Sequence, residues 1–376
     1  MKGIEDMRKF VLVCTFLLVV TAVGVAQDAP PVEIPAWDEL EAGAWTNIPG
    51  PEGTICSNGT PYSFYVRPAS EPSDKLLIHF QGGGACWMQG NCDLTANPTY
   101  DPFVDESDDP TSAGGIFDFT NPANPFTDYN MVLAPYCTGD VHIGDAQTTY
   151  GGGETEVTIN HNGYKNAAAV LDWTFTNIPT ASDVFVTGCS GGAIPSPFYV
   201  WWVAENYGDA RIVQLGDAAG GYRNVTGVLT DFLGSWGTFD ILGEPYADVS
   251  NEDMNFEQFY IVTGNLFPDI QFAQYNAAHD EVQVGFIMLA GLAEPDLPQL
   301  LADNLADIKA GLQQDNFHSF TAGGSGHCVT VTPELYTIAS NGVPLIDWVT
   351  ALAKGEPVDD VVCEDCSEAE QVGADE

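Results

Sequence analysis

The stretch Asp183-Val-Phe-Val-Thr-Gly-Cys-Ser-Gly-Gly-Ala193 decides the fold. Residues 184–187 are β-branched or aromatic, a glycine-flanked serine follows, and residues 194–206 are apolar at helical spacing with Pro195 and Pro197 in the first turn. The pattern predicts a strand, a sharp turn and a helix. A serine presented on such a turn has a strained backbone, so the residues two before and two after it must be small to let strand and helix pass closely. Gly188 and Gly192 meet that demand. A Gly-x-Ser-x-Gly run alone also describes an ordinary exposed turn; the strand before it and the helix after it favour a nucleophile at Ser190.

Outward from this stretch, short apolar runs at 75–80, 131–136, 211–215 and 259–262 read as further strands. Helical patterns lie between them, for example over 165–175. The alternation predicts an α/β fold, a mostly parallel central sheet with helices on both faces. Residues 90–125, rich in Pro, Asp and Gly without periodicity, read as long loops over the carboxyl edge of that sheet. The first of these strands runs into Gln81-Gly-Gly-Gly-Ala-Cys-Trp87. Acyl transfer needs backbone N–H groups aimed at a developing oxyanion, and glycines allow that approach because no Cβ obstructs it. Gly83 and Gly84, together with Gly191, are the candidates for an oxyanion hole.

A general base is expected late in the chain. Of six histidines, His327 lies in Gly323-Gly-Ser-Gly-His-Cys328, a glycine-rich loop after the strand-like 317–321. His142 is the alternative, but it precedes Ser190 and breaks the order nucleophile, acid, base. The acid that orients the imidazole is open between Asp217, Asp269 and Asp280 on the residues alone.

The rest of the chain bounds the setting. Residues 1–26 have a short basic start, an apolar run and small residues before Gln27, and read as a signal peptide. Residues 27–355 read as one catalytic domain and 356–376 as an acidic, flexible tail. Asp and Glu outnumber Lys and Arg 53 to 10, a net charge of −43. That excludes nucleic acid and anionic membrane surfaces as partners, and no membrane anchor is expected after signal cleavage. High-salt surroundings and plain solubility explain the charge equally well. Leaving out Cys14, the cysteines are even in number, which points to disulfides in an exported chain. A zinc site built on Cys363 and Cys366 lacks the second ligand pair it needs.

Taken together, Gln81-Gly-Gly-Gly-Ala-Cys-Trp87 with Gly90-Asn-Cys-Asp93, Pro135-Tyr-Cys-Thr-Gly-Asp140, Gly188-Cys-Ser-Gly-Gly192, Asn276-Ala-Ala-His-Asp-Glu-Val-Gln283 and Gly326-His-Cys328 resemble the pectinacetylesterase/Notum family of secreted carboxylester hydrolases. The resemblance implies an α/β-hydrolase fold, no metal or cofactor, and a catalytic set of Ser190, Asp280 and His327. It also implies disulfides Cys86 to Cys92 and Cys56 to Cys137. Cys189 and Cys328 flank the expected nucleophile and base, and a bond between them would be similar to the arrangement in tannases and feruloyl esterases. Cys363 and Cys366 are then left to each other or free.

The function this supports is a secreted, monomeric serine esterase that removes short acyl groups, chiefly O-acetyl, from a carbohydrate or small ester. Trp87, Tyr136 and His142 are candidates for substrate contact, and Trp201 and Trp202 read as core of the helix after the elbow. Pectin, a polyanion, suits so acidic a surface poorly. Hydrolysis of longer acyl chains by the same residues is the alternative, and a carbohydrate-binding protein without activity is a further one.

Overall fold

Branched and aromatic runs set the strands of the computed structural model, which describes residues 34–372. They are β1 Thr46–Pro49, β2 Ser63–Arg67, β3 Lys75–Phe80, β4 Asn130–Ala134, β5 Ala146–Tyr150, β6 Val157–His161, β7 Asp183–Cys189, β8 Arg211–Asp217, β9 Gln271–Ala277, β10 Phe317–Ala322, β11 Ile338–Ser340, β12 Val343–Pro344, β13 Val361–Val362 and β14 Glu370–Gln371. The helices are α1 Gln89–Cys92, α2 Gly163–Asn177, α3 Ser196–Asn206, α4 Val228–Trp236, α5 Glu257–Leu266, α6 Glu281–Leu289, α7 Leu297–Gly311 and α8 Leu345–Lys354. The expected signal peptide lies outside the described residues.

Nine strands form one sheet in the order β1-β2-β4-β3-β7-β8-β9-β10-β13. From β4 to β13 all neighbours are parallel, while β1 and β2 join antiparallel. This is the sheet of an α/β-hydrolase-like fold. Both faces are covered, which is why the central strands are apolar almost throughout. Leu76, Ile78, Val184 and Val186 point into a core shared with α2, α3 and α5, and Leu77, Phe185 and Val213 into a second core under α8. The period of two sends alternate residues of one strand to opposite sides.

Parallel register brings the strand ends that matter to one edge. Phe80 pairs with Gly188, Cys189 with Asp217, Asp217 with Tyr275, and Ala277 with Ala322. The loops leaving β3, β7, β8, β9 and β10 therefore meet there.

Two readings of the sequence are corrected. Residues 259–262 are helical, the middle of α5, whose Phe259, Tyr260 and Thr263 are buried on one face. A short apolar run has no periodicity to separate strand from helix. The true strand, β9, was hidden by its polar residues: Gln274 and Asn276 are buried, and Asn276 accepts hydrogen bonds from Gly220 N–H (2.9 Å) and Gln283 Nε2 (3.3 Å). The tail is also partly built into the fold. Val361–Val362 is the edge strand beside β10, Glu370–Gln371 pairs with β11, and Asp360 accepts from Ser319 N–H (2.9 Å). Backbone pairing holds this segment despite its charge.

His79, next to last in β3, is buried edge-on against Phe117 with its Nδ1 unpartnered among the described residues. Burial, with His142 adding to it, pushes its pKa down from 6.5 to about 3. A lowered histidine pKa means that the unfolded chain takes the proton first, so stability is lost as pH falls below the unfolded value. Urea unfolding at pH 7 and 4 should show the wild type losing about 3 kcal/mol more than His79→Leu across that interval. Equal losses would show that His79 does not carry this linkage.

Candidate active site

Ser190 sits at the end of β7 with φ 51°, a left-handed value rare for a residue with a side chain. The turn is possible because its neighbours lack side chains. A Cβ on Gly188 would lie 2.1 Å from the Gly192 carbonyl oxygen, and one on Gly192 would lie 2.0 Å from that of Phe80. The backbones of β3, the turn and the following helix are in contact. Pro195 and Pro197 open α3, where no backbone donor is needed.

The glycine loop after β3 lies directly against this turn. A Cβ on Gly82 would meet the Cys189 carbonyl at 2.6 Å and the Ser190 Cβ at 3.1 Å. Gly83 (φ 149°) and Gly84 (φ 86°) both take left-handed values, and a Cβ on Gly84 would stand 1.9 Å from the Thr99 carbonyl. Gly191 faces the same loop, its Cβ position 3.1 Å from the Gly84 carbonyl. Gly84 and Gly191, two of the expected oxyanion donors, thus line one cleft with Ser190, while Gly83 is packed against the Tyr136 ring.

Tyr136 and His142 hold this loop from beneath. Both are buried, at 2 % and 1 % exposure, and neither lines the cleft, which corrects the expectation of substrate contact. His142 Nε2 donates to the Gln81 carbonyl (2.8 Å), and the Tyr136 hydroxyl accepts from Val141 N–H (2.8 Å). Gln81 is pinned further by its side chain, which accepts from Tyr136 N–H (3.0 Å) and donates to Asp108 (2.9 Å). Burial lowers the His142 pKa to about 4, so the ring is neutral at ordinary pH. Beside it, Asp140 accepts from Thr138 Oγ1, His142 N–H and Gly163 N–H, and burial raises its pKa to about 7.

His327 is carried by the loop after β10, and its Nδ1 donates to Asp280 Oδ2 at 2.6 Å. A carboxylate only accepts, so Nδ1 bears the proton and Nε2 is left as the basic nitrogen. Asp280 is fully buried and caps α6, taking Val282 N–H (2.9 Å), Gln283 N–H (3.1 Å) and Gln283 Nε2 (3.0 Å). The helix amino end compensates its charge. Of the other carboxylates considered, Asp269 is exposed at the amino end of β9, and Asp217 is turned to Thr330.

All four disulfides are formed: Cys56 to Cys137, Cys86 to Cys92, Cys189 to Cys328 and Cys363 to Cys366. The third ties the residue before Ser190 to the residue after His327, with Cα atoms 5.2 Å apart. A His327 ring nitrogen lies within 4.8 Å of both sulfurs. This is the one trio of potential metal ligands found among the described residues, and its sulfurs are spent on each other.

Beside Ser190 opens a cleft lined almost wholly by apolar side chains. Its walls are Trp87, Ile194, Tyr222, Leu229, Phe232, Trp236, Phe286 and Ile287, from the loops after β3, β7 and β8 and from α4 and α6. Trp87 stacks on Phe232 (4.2 Å between centroids), and the Trp236 indole donates to the Cys86 carbonyl (2.8 Å). The single charged side chain in the lining, Arg223, is paired with Glu257 at 2.6 Å and with Asp307. Trp87 was anticipated; the α4 and α6 walls were not, because apolar residues that face a cleft share the periodicity of those that face a core. Trp201 and Trp202 lie away from the cleft on α3.

A left-handed serine turn, a facing glycine loop and a histidine–carboxylate pair at the carboxyl edge of a parallel sheet define an α/β-hydrolase-type protein. A family model described as Pectinacetylesterase matches residues 44–232, half of the chain, and the chain belongs to that family. Among curated relatives, the palmitoleoyl-protein carboxylesterase NOTUM of Schmidtea mediterranea is 33% identical over 100 residues, 26% of this chain and 19% of that protein. Its namesake in Homo sapiens is 34% identical over 92 residues, 24% and 18% of the two chains. The inactive palmitoleoyl-protein carboxylesterase notum1b of Danio rerio is 30% identical over 96 residues, 25% of this chain and 68% of that protein. The match spans about a fifth of the NOTUM proteins' own length.

Gly84→Ala forces a Cβ into the Thr99 carbonyl and moves the loop off Ser190; kcat for ester hydrolysis should fall at least about 100-fold, the scale of losing one oxyanion donor. Wild-type kcat in a folded Gly84→Ala protein would remove this loop from the reaction.

Proposed function

We propose that this protein is a secreted serine carboxylester hydrolase whose cleft takes an apolar acyl chain longer than acetyl. His327 Nε2 removes the proton of the Ser190 hydroxyl as Oγ attacks the ester carbonyl, and the N–H groups of Gly83, Gly84 and Gly191 stabilise the oxyanion. Asp280 holds the imidazole and balances its charge as it becomes an imidazolium. The imidazolium returns the proton to the leaving alcohol. Water, deprotonated by the same histidine, then releases the acid and regenerates Ser190. Secretion is supported by the signal-like residues 1–26 and by the disulfides. Among the described residues no helix is long and apolar enough to cross a membrane.

The observation that carries the acyl preference is the aromatic and aliphatic wall beside Ser190. An acetyl group leaves most of that wall in water, whereas each further CH₂ buried against it contributes about 0.8 kcal/mol. Longer chains are also what the relatives' name, palmitoleoyl-protein carboxylesterase, describes for those proteins. A second reading, removal of O-acetyl groups, has the description of the family model in its favour. Pectin remains a poor fit, because a net charge of −43 repels a polyanion.

A p-nitrophenyl ester series from acetyl to palmitoyl separates the two readings. The expected result is a kcat/KM that rises over the first several carbons, falling about 10⁴-fold or more for every ester in Ser190→Ala. Leu229→Trp, which fills the cleft, should penalise octanoyl over acetyl esters by at least about tenfold. A maximum at acetyl, unmoved by Leu229→Trp, would establish the deacetylase instead. Asp280→Asn is expected to lower kcat about 10⁴-fold.

A further inference from the structure

β8 ends in Asp217, a carboxylate that the proposed reaction does not use. It is fully buried, and Cys189 at the end of β7 is its register partner. Oδ2 accepts from Thr330 N–H (2.7 Å) and Thr330 Oγ1 (2.6 Å), while Oδ1 has no hydrogen-bond partner among the described residues. Thr330 stands three residues after His327. Between them Cys328 takes a left-handed φ of 60°, so the segment makes a sharp bend. Behind Thr330 the backbone is tightly packed, since a Cβ on Gly115 would lie 2.1 Å from its carbonyl oxygen. The loop carrying the imidazole is therefore fastened at two points from adjacent strand ends, by Cys189 through the disulfide and by Asp217 through Thr330. The chain leaves Asp217 through Ala218 at φ 64°, a left-handed conformation disfavoured for a residue with a Cβ. The carboxylate is thus held in place by a turn that is itself strained.

We propose that Asp217 is a positioning residue which, as a carboxylate, holds Thr330 and thereby sets the His327 imidazole between Asp280 and Ser190. This rests on the reading of Ser190, Asp280 and His327 as the hydrolytic set. Two donors converging on one oxygen are strongest when that oxygen is charged, because charge-assisted hydrogen bonds are roughly twice as strong as neutral ones. The groups that face the carboxylate are Asp280, His327 and the Tyr275 phenol on β9. Cys189 is oxidised and does not titrate. Burial pushes the Asp217 pKa up to about 6; the Thr330 donors and His327 pull it down, and Asp280 pushes it up.

The sign follows. A carboxylate whose pKa is raised by folding takes its proton in the folded state first, so acidification through about pH 6 relieves a burial cost and does not unfold the protein through this group. The same proton weakens the grip on Thr330. Catalysis is then slowed without any loss of stability through this group.

The test is kcat against pH from about 5 to 8, at saturating ester, for the wild type, Asp217→Asn, Thr330→Val and Ser190→Ala, with thermal unfolding in parallel. At pH 7.5 Asp217→Asn should lower kcat about tenfold with little change in KM, and the ratio of variant to wild type should rise toward one near pH 5, where the wild-type carboxyl is itself neutral. Thr330→Val, which removes one of the two donors, should show a smaller loss with the same trend. If Asp217→Asn does not fold, the Thr330→Val ratio decides. A ratio independent of pH in the variant that folds, or wild-type kcat in Asp217→Asn, would overturn the proposal and leave Asp217 a structural residue. Undiminished activity in Ser190→Ala would instead overturn the hydrolytic reading on which it rests.

Discussion

The structure depends on a close approach of backbones that permits no side chain. The carbonyl of Phe80 fills the place where Gly192 would carry a Cβ, and the carbonyl of Gly192 fills that of Gly188. Because β3 and β7 are parallel neighbours in register, this contact fixes the glycine loop of the one against the serine turn of the other. The strain of Ser190 is held by these packed strands, in keeping with the clustering of left-handed non-glycine residues around reactive groups. Val141, His142, Ala218 and Cys328, the others nearest the site, all lie on the segments that brace it.

The bracing is chiefly polar and buried. Gln81 is held by a backbone N–H, a carboxylate and a neutral imidazole, Asp280 by a helix amino end, and Thr330 by Asp217. Such groups are costly to bury unpaired, so nearly every polar atom finds a partner and each loop has one preferred position. Two of the exceptions are instructive. The unpartnered oxygen of Asp217 and nitrogen of His79 belong to groups whose charged forms burial disfavours, in opposite senses with respect to pH. Acid therefore acts on this protein in two ways, through stability at the histidines and through geometry at the carboxylate.

The cleft is the product of α4 and α6, which sit in the connections that follow β8 and β9. Ser190 and the His327–Asp280 pair are carried by the sheet's strand ends; the shape of the cleft beside them comes from these insertions. That division lets one scaffold serve different esters, since the walls can change while the strand ends stay fixed.

The sequence by itself determined the local pieces. The glycines around Ser190, the triple glycine after β3, the histidine in its flexible loop and the even cysteines each have a short-range cause, steric or covalent, that survives without knowledge of the fold. Only the tertiary structure decided what depends on distant segments meeting. Asp217, Asp269 and Asp280 are equal as residue types, and what separates them is that only Asp280 stands at 2.6 Å from His327, across 47 residues of chain. Tyr136 lies within a conspicuous motif and His142 just after it, but the turn they belong to packs against the glycine loop, so burial rather than ligand contact claims them. β9 was hidden for the same reason: its buried Asn276 finds partners from α6 and the loop after β8, and no pattern within the strand announces them. Periodicity records which face of an element is apolar; it does not record whether that face meets a core, a cleft or a partner strand.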